Sequence, residues 1–305
     1  MMYLLLLIGF VLLIKGADLF VDGSSSIAGI LKVPSVIIGL TIVAMGTSAP
    51  EAAVSISAGL AGSSDISLGN VIGSNLFNLL MVIGICAIIF PAKSNEDILK
   101  RDLWWNIGCT ILLFILIFDG SISRLEGLIL LALMAFYIVL MIVSALKNRI
   151  EDAAQEVLPL WKSILFVLIG LIAVIFGGDM VVDNASLIAK QWGMSDTLVG
   201  LTIVAIGTSL PELVTSITAS RKGDSGIALG NAVGSCLFNL LFILGIASTI
   251  TPINVAPELF IDTGILIATT ILILIVAKTG KKTTRPEGII CVLCYAIYTA
   301  YIIMR

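Results

Sequence analysis

Histidine is absent from these 305 residues. That removes the commonest proton shuttle and the commonest transition-metal ligand. Charge is scarce as well. Asp, Glu, Lys and Arg make up 12% of the chain, against about 25% in a soluble domain. The net charge of −3 offers no basic patch for nucleic acid. Five cysteines, Cys86, Cys109, Cys236, Cys291 and Cys294, are scattered through apolar runs. Cys291 and Cys294 form a C-x-x-C with no second pair, so all five read as small packing residues.

What fills the chain instead is apolar: 59% of residues are hydrophobic and the mean hydropathy is +1.15. No soluble core absorbs that much apolar surface, which makes the lipid bilayer the expected solvent. A spanning helix needs about 20 apolar residues. Ten segments qualify, near 2–22, 34–59, 67–91, 103–119, 124–146, 161–187, 196–220, 226–250, 258–278 and 286–304. The second and seventh carry Pro and Gly in their middles and are expected to be interrupted helices. All four tryptophans, Trp104, Trp105, Trp161 and Trp192, fall near segment ends, as an aromatic belt requires.

The connections are short, and the longest, about 147–160, is charged from Lys147 to Glu156. Ten crossings put both termini on one face. Three of the seventeen Lys and Arg residues then share the face of the termini, thirteen lie opposite, and Lys15 sits inside the first segment. By the positive-inside rule both termini are expected outside and the 147–160 loop in the cytoplasm.

The chain is also a duplication. Residues 39–59 and 200–220 match at fourteen of twenty-one positions with an offset of 161. The same offset aligns 69–85 with 230–246, and places Gly16, Asp18 and Asp22 on Gly177, Asp179 and Asp183. The first segment thus belongs to a repeat unit and is not expected to be a cleaved leader. Each unit has five crossings, an odd number, so the second enters the membrane from the opposite side. The expected fold is all-α and membrane-integral, with ten transmembrane helices as two inverted five-helix repeats. The first repeat covers 1–146, a cytoplasmic linker 147–160, and the second repeat 161–305. Inverted repeats are the architecture of many secondary transporters, whose sites lie at the midplane where interrupted helices meet.

The repeated motif G-T-S-x-P-E holds Gly46, Thr47, Ser48, Pro50 and Glu51, and again Gly207, Thr208, Ser209, Pro211 and Glu212. One carboxylate at the bilayer centre costs about 3 kcal/mol on insertion scales. The sequence carries two, at equivalent positions, and a bound cation is the simplest compensation. Thr47 and Ser48 precede Glu51 by four and three residues, on one helix face. Pro50 has no N–H and displaces the carbonyl of Gly46, as Pro211 does that of Gly207. The companion motif G-N-x-x-G-S-x-L-F-N supplies Asn70, Ser74 and Asn78, and Asn231, Ser235 and Asn239. Together they offer carboxylate, hydroxyl, amide and backbone oxygen, which suits calcium or sodium rather than zinc, copper or iron. Two glutamates balance one divalent cation. For each Ser or Thr the alternative is a hydrogen bond to its own helix, and for each Asn a bond that only joins helices. Asp18, Asp22, Asp179 and Asp183 read as anchors of helix ends rather than ion ligands, with Lys15 one turn from Asp18.

With both motifs doubled, the chain resembles the cation/calcium exchanger superfamily, in its prokaryotic sodium/calcium antiporter branch, over essentially its whole length. The resemblance implies four clustered ion sites, with one calcium competing against about three sodium ions in electrogenic exchange. It assigns Glu51, Glu212 and the backbone carbonyls of Thr47 and Thr208 to calcium. It assigns Ala44, Ser48, Ser74, Ala205, Ser209 and Ser235 to sodium, with shared glutamate oxygens. Asn78 and Asn239 line the centre, and the first and sixth helices slide past the core. Some relatives, potassium-coupled ones among them, carry Asp where this chain has Asn239, so potassium coupling is disfavoured. The long regulatory loop of animal relatives is missing, so no calcium-sensing domain is expected, and neither a cofactor nor an obligate protein partner.

A calcium/proton antiporter of the same fold is the nearest alternative. Such relatives show Asn where this chain has Thr–Ser before the glutamate, which favours sodium here. An intramembrane protease is disfavoured: no histidine activates Ser48 or Ser209, and no G-x-G-D motif occurs. A channel would need no counter-ion, whereas an inverted repeat favours alternating access.

Overall fold

In a computed structural model, residues 1–61, 64–93, 96, 98–147, 157–194, 199, 203, 205–278 and 282–304 are described. Among these, eight helices are long and apolar enough to cross a membrane: α1 (Met2–Leu31), α4 (Ile66–Ile89), α5 (Ile98–Asp119), α6 (Arg124–Lys147), α7 (Leu160–Gln191), α10 (Ser225–Ile250), α11 (Pro257–Lys278) and α12 (Arg285–Met304). A ninth span is a bent pair, α2 (Ser35–Thr47) and α3 (Ala49–Leu60), which meet at 47°. The segment expected at 196–220 lies partly outside the described residues. Its described part holds α8 (Ala205–Gly207) and α9 (Leu210–Arg221). Both helix breaks fall where the motif puts them, with Ser48 before Pro50 and Ser209 before Pro211 as the N-caps of the following helices. Each proline then occupies the first turn, where a missing N–H costs nothing.

Three boundaries differ from expectation, one of them the start of the fourth span, at Ile98 rather than near 103. The first segment continues to Leu31, nine residues past its expected end, and the sixth spans Leu160–Gln191. The polar run Gly23–Ser26 lowers local hydropathy without stopping the helix, because Ser24 and Ser26 turn inward and are buried. Ser26 Oγ accepts from Leu158 N at 2.8 Å. The helix stops at Lys32, whose left-handed φ of 55° closes the last turn on the carbonyls of Ala28 and Gly29, just ahead of Pro34. Asp18 and Asp22 therefore lie well inside α1 rather than at its end. Lys222 holds both, 2.6 Å from Asp22 Oδ1 and 3.6 Å from Asp18 Oδ1, while Lys15 stands 3.9 Å from Asp18 Oδ2. Asp179 and Asp183 sit on an exposed part of α7 and cap no helix.

At a rise of 1.5 Å per residue α1 and α7 are each about 45 Å long, more than the thickness of a bilayer core. They pack on each other through Gly9, Gly16 and Gly23 of α1 and Gly170 and Gly177 of α7. A Cβ at Gly16 would meet Ala173 Cβ and Val174 N at 2.8 Å, and one at Gly177 would meet Leu13 N at 2.6 Å. Behind this pair lies a larger apolar core in which α4 and α10 are the most enclosed spans, with 72% and 78% of their apolar windows buried.

The connections are not purely helical. Two short antiparallel ribbons join the halves: β1 (Ala92–Lys93) pairs with β4 (Lys282–Thr283), and β2 (Ser121–Ile122) with β3 (Ile253–Asn254). The offset of 161 turns β1 into β3 and β2 into β4, and carries one pairing register onto the other. The two halves thus contact each other reciprocally, as a two-fold relation demands.

The glycine seam makes a prediction. Gly16→Ala should lower stability in detergent by about 1–3 kcal/mol through overpacking. Gly108→Ala, with nothing within 4 Å of its Cβ among the described residues, should be neutral or stabilising. Thermal unfolding of the two variants side by side checks it.

Candidate cation site at the helix breaks

Glu51 and Glu212 are both completely buried. They lie in the first turn of α3 and α9, directly after the breaks, and the two halves bond them crosswise. Ser209 Oγ donates to Glu51 Oε1 at 2.8 Å, and Ser48 Oγ donates to Glu212 Oε1 at 2.9 Å. The companion serines complete each set: Ser74 Oγ lies 3.4 Å from Glu51 Oε1 and Ser235 Oγ 3.5 Å from Glu212 Oε1. For these four serines, the sequence alternative of bonding their own helix gives way to bonding a glutamate.

Behind each glutamate an asparagine holds the backbone. Asn70 Nδ2 donates to the Glu51 carbonyl at 3.2 Å and to Ser55 Oγ at 3.0 Å. Asn231 Nδ2 makes the matching bonds to the Glu212 carbonyl and Ser216 Oγ, at 3.2 and 3.0 Å. Ser55 and Ser216 went unread in the sequence, although they are identical at equivalent positions of the repeat, which is the signal that marks them.

The polar atoms left over define the chemistry. Glu51 Oε2, Glu212 Oε2, both amide atoms of Asn78, Asn239 Oδ1 and Thr208 Oγ1 are buried without a hydrogen-bond partner among the described residues. Nor does any described Lys or Arg pair with either glutamate. The contrast is Asp102, another fully buried acid, which the sequence reading placed outside the spans. Arg101 holds it in a fork at 2.7 and 3.0 Å, and Tyr137 Oη donates to it at 3.1 Å. Asp102 has a cation of its own; the two glutamates have hydroxyls and unused oxygens. Such a set of oxygens has the chemistry that a hard cation takes as ligands.

The remaining expected residues are placed unevenly. Thr47 Oγ1 lies 2.9 Å from Asn231 Oδ1 and 3.1 Å from Val43 O of its own helix, the two acceptors open to its single proton. Its counterpart Thr208 has no such bond among the described residues. Ala44 is buried in α2, facing Gly234, and Ala205 opens the turn α8. Asn78 and Asn239 lie where the helix widens, in the π-helical turns Phe77–Val82 and Asn239–Ile243. Such turns often mark functional positions. Asn75 and Asn106, both buried and polar, were not among the expected residues; Asn106 reaches the Val233 carbonyl at 3.5 Å.

An all-helical membrane chain with two mated, buried, cation-seeking carboxylates belongs among secondary transporters, and comparison with known proteins specifies which. The chain belongs to the sodium/calcium exchanger protein family, whose sequence profile it matches over residues 1–143 and 162–304. It is a transporter of that family and not an enzyme. It is 38% identical to CaxA of Alkalimonas amylolytica over 96% of this chain and 95% of that one. It is 35% identical to the sodium/calcium exchanger MaX1 of Methanosarcina acetivorans, covering 97% of each. Its fold superposes on the sodium-calcium exchanger NCX_Mj, soaked with Na+ and Ca2+, with a TM-score of 0.85 at 32% identity, over 96% of both chains.

Removing either charge should therefore empty the site of affinity. Glu51→Gln and Glu212→Gln should each weaken calcium binding by about 100-fold, the loss of a charged ligand in a dry site. Tyr137→Phe should lower stability by about 1 kcal/mol and leave calcium affinity alone. Calcium titrations of the melting temperature separate the two effects.

Proposed function

We propose that the protein exchanges Na+ for Ca2+ across the cell membrane by alternating access, with about three Na+ per Ca2+ and net movement of charge. The observation that carries this reading is the pair of cross-bonded glutamates, one from each half, each with a buried oxygen that has no hydrogen-bond partner and no paired Lys or Arg among the described residues. Two such carboxylates neutralise one calcium or share their oxygens among sodium ions. Calcium binds through the carboxylates of Glu51 and Glu212 and the carbonyls of Thr47 and Thr208. Sodium uses Ala44, Ser48, Ser74, Ala205, Ser209 and Ser235, and Asn78 and Asn239 line the centre. The printed names of MaX1 and NCX_Mj, both sodium/calcium exchangers, support the choice of ions.

The same reading takes the chain as ten transmembrane helices in two inverted repeats, 1–146 and 161–305, joined by a cytoplasmic linker at 147–160. Both termini then lie outside. The reciprocal ribbons and the 161-residue offset support the two-fold relation, and the distribution of Lys and Arg supports the orientation. The 35%-identical inner membrane protein YrbG of Escherichia coli supports the inner membrane as location.

In proteoliposomes loaded with sodium and diluted into sodium-free buffer, radioactive calcium should accumulate, and should not with choline inside. Both glutamine variants should be inactive. Uptake driven by a pH gradient and indifferent to sodium would replace this reading with calcium/proton exchange, and uptake without any counter-ion gradient would replace it with a channel.

Alternating access requires α1 to move against the turn after α9, and a network tethers it there. Lys222 holds Asp22 and Asp18, while Asp224 accepts from Ser25 Oγ at 2.8 Å and Ser35 Oγ at 2.7 Å. The equivalent of Lys222 in the first half is Ala61, so only one face carries the tether. Lys222→Gln should raise the maximal exchange rate about two- to fivefold, as expected for losing a partly exposed ion pair, with half-saturating calcium little changed. Initial-rate measurements over a calcium series check it.

A further inference from the structure

Position 75 breaks the repeat. The companion motif reads Gly-Ser-Asn-Leu-Phe-Asn at 73–78 and Gly-Ser-Cys-Leu-Phe-Asn at 234–239. The two unlike residues are counterparts, and they touch. Asn75 Nδ2 donates to the Cys236 carbonyl at 3.2 Å, and Cys236 Sγ lies 3.7 Å from the Asn75 carbonyl. Both side chains are completely buried.

A backbone carbonyl only accepts, so the amide nitrogen of Asn75 has to be the atom that faces it. That turns Asn75 Oδ1 the other way, where it accepts from Asn239 Nδ2 at 3.0 Å. An oxygen that cannot donate fixes the second amide as it fixed the first. Asn239 has its nitrogen committed to Asn75, and its Oδ1 is left buried without a partner among the described residues. Asn239 shares a helix face with Ser235, four residues earlier, whose Oγ lies 3.5 Å from Glu212 Oε1.

The first half has no equivalent relay. Neither amide atom of Asn78 has a partner among the described residues. The residue in the position to hold it is Cys236, whose thiol is a weak donor and weak acceptor.

We propose that Asn75 is a positioning residue that locks the Asn239 amide with its carbonyl oxygen toward the ion, while Asn78 stays free to turn. The inference rests on the exchanger reading of Asn239 as a residue lining the centre. An amide the wrong way round presents an N–H to a cation, which converts a ligand into a repulsive group. Asn75 removes that orientation at Asn239.

The test is a double-mutant cycle on the purified full chain, read as the calcium concentration that half-saturates the rise in melting temperature. Asn75→Leu removes the lock with little change in volume, and Asn239→Ala removes the locked group. Each single variant should raise half-saturating calcium about tenfold, and the double variant no further than the worse single, because Asn75 acts through Asn239. In liposomes Asn75→Leu should raise half-saturating calcium and leave the maximal exchange rate within about twofold. If the leucine variant fails to fold, Asn75→Cys replaces it, carrying the side chain that the second half accommodates at this position. Single effects that multiply in the double variant overturn the positioning role and leave the exchanger reading intact. So does an Asn75 variant that melts earlier without calcium yet keeps its half-saturation. A wild-type protein that calcium does not stabilise overturns both.

Discussion

Two carboxylates in a medium that cannot solvate them are the constraint around which this fold is arranged. Each is held by a hydroxyl from the opposite half, so neither half can complete its own site. Ser48 belongs to the helix break that presents Glu51, yet it bonds Glu212; Ser209 does the converse. The crosswise pattern couples the geometry of the two breaks. Asn70 and Asn231 then fix the backbone of each glutamate from behind, and the widened turns of α4 and α10 bring Asn78 and Asn239 alongside. What remains, among the described residues, is a buried cluster rich in oxygen and short of positive charge, which by the ordinary rule for buried ions calls for a compensating charge; in the proposed function a cation supplies it.

Much of this was legible in the residues themselves. The doubled motif located both glutamates, both breaks and the serines, because an acid in an apolar run and a proline in a helix each announce a cost that something must offset. The same reasoning failed where a cost was absent from the local sequence. Asp102 stands beside Arg101, so it reads as surface charge at the edge of a span, yet the pair is folded inward with Tyr137 and Ser144. The length of α1 was misjudged because hydropathy averages over Gly23–Ser26 without knowing which serines find partners. Asp18 and Asp22 were read as helix-end residues for the same reason, and their real partner, Lys222, is two hundred residues away. Asn75 escaped notice because attention to a repeat favours positions that match, and its importance lies in a mismatch.

The proposed asymmetry at the centre fits a wider pattern. The two halves agree in the bonds that hold the glutamates and differ in those that surround them: Thr47 engages Asn231, a bond Thr208 lacks among the described residues, and the position equivalent to Lys222 is Ala61. A transporter with two identical halves would have two states of equal energy by symmetry. On the alternating-access mechanism proposed above, each departure from identity shifts that balance, which makes the unlike residues the place to look for the preference between states.

The two ribbons have a mechanical consequence. Each ties a connection of one half to a connection of the other, β1 to β4 and β2 to β3, so the bundle carrying the breaks is laced at two separate points. A laced bundle resists being parted or sheared along the boundary between its halves, since either motion would strip backbone hydrogen bonds. The glycine-lined pair α1 and α7 carries no ribbon among the described residues. On the exchange mechanism proposed above, the laced bundle is the fixed part and the α1–α7 pair the moving one, a division that does not follow the duplication.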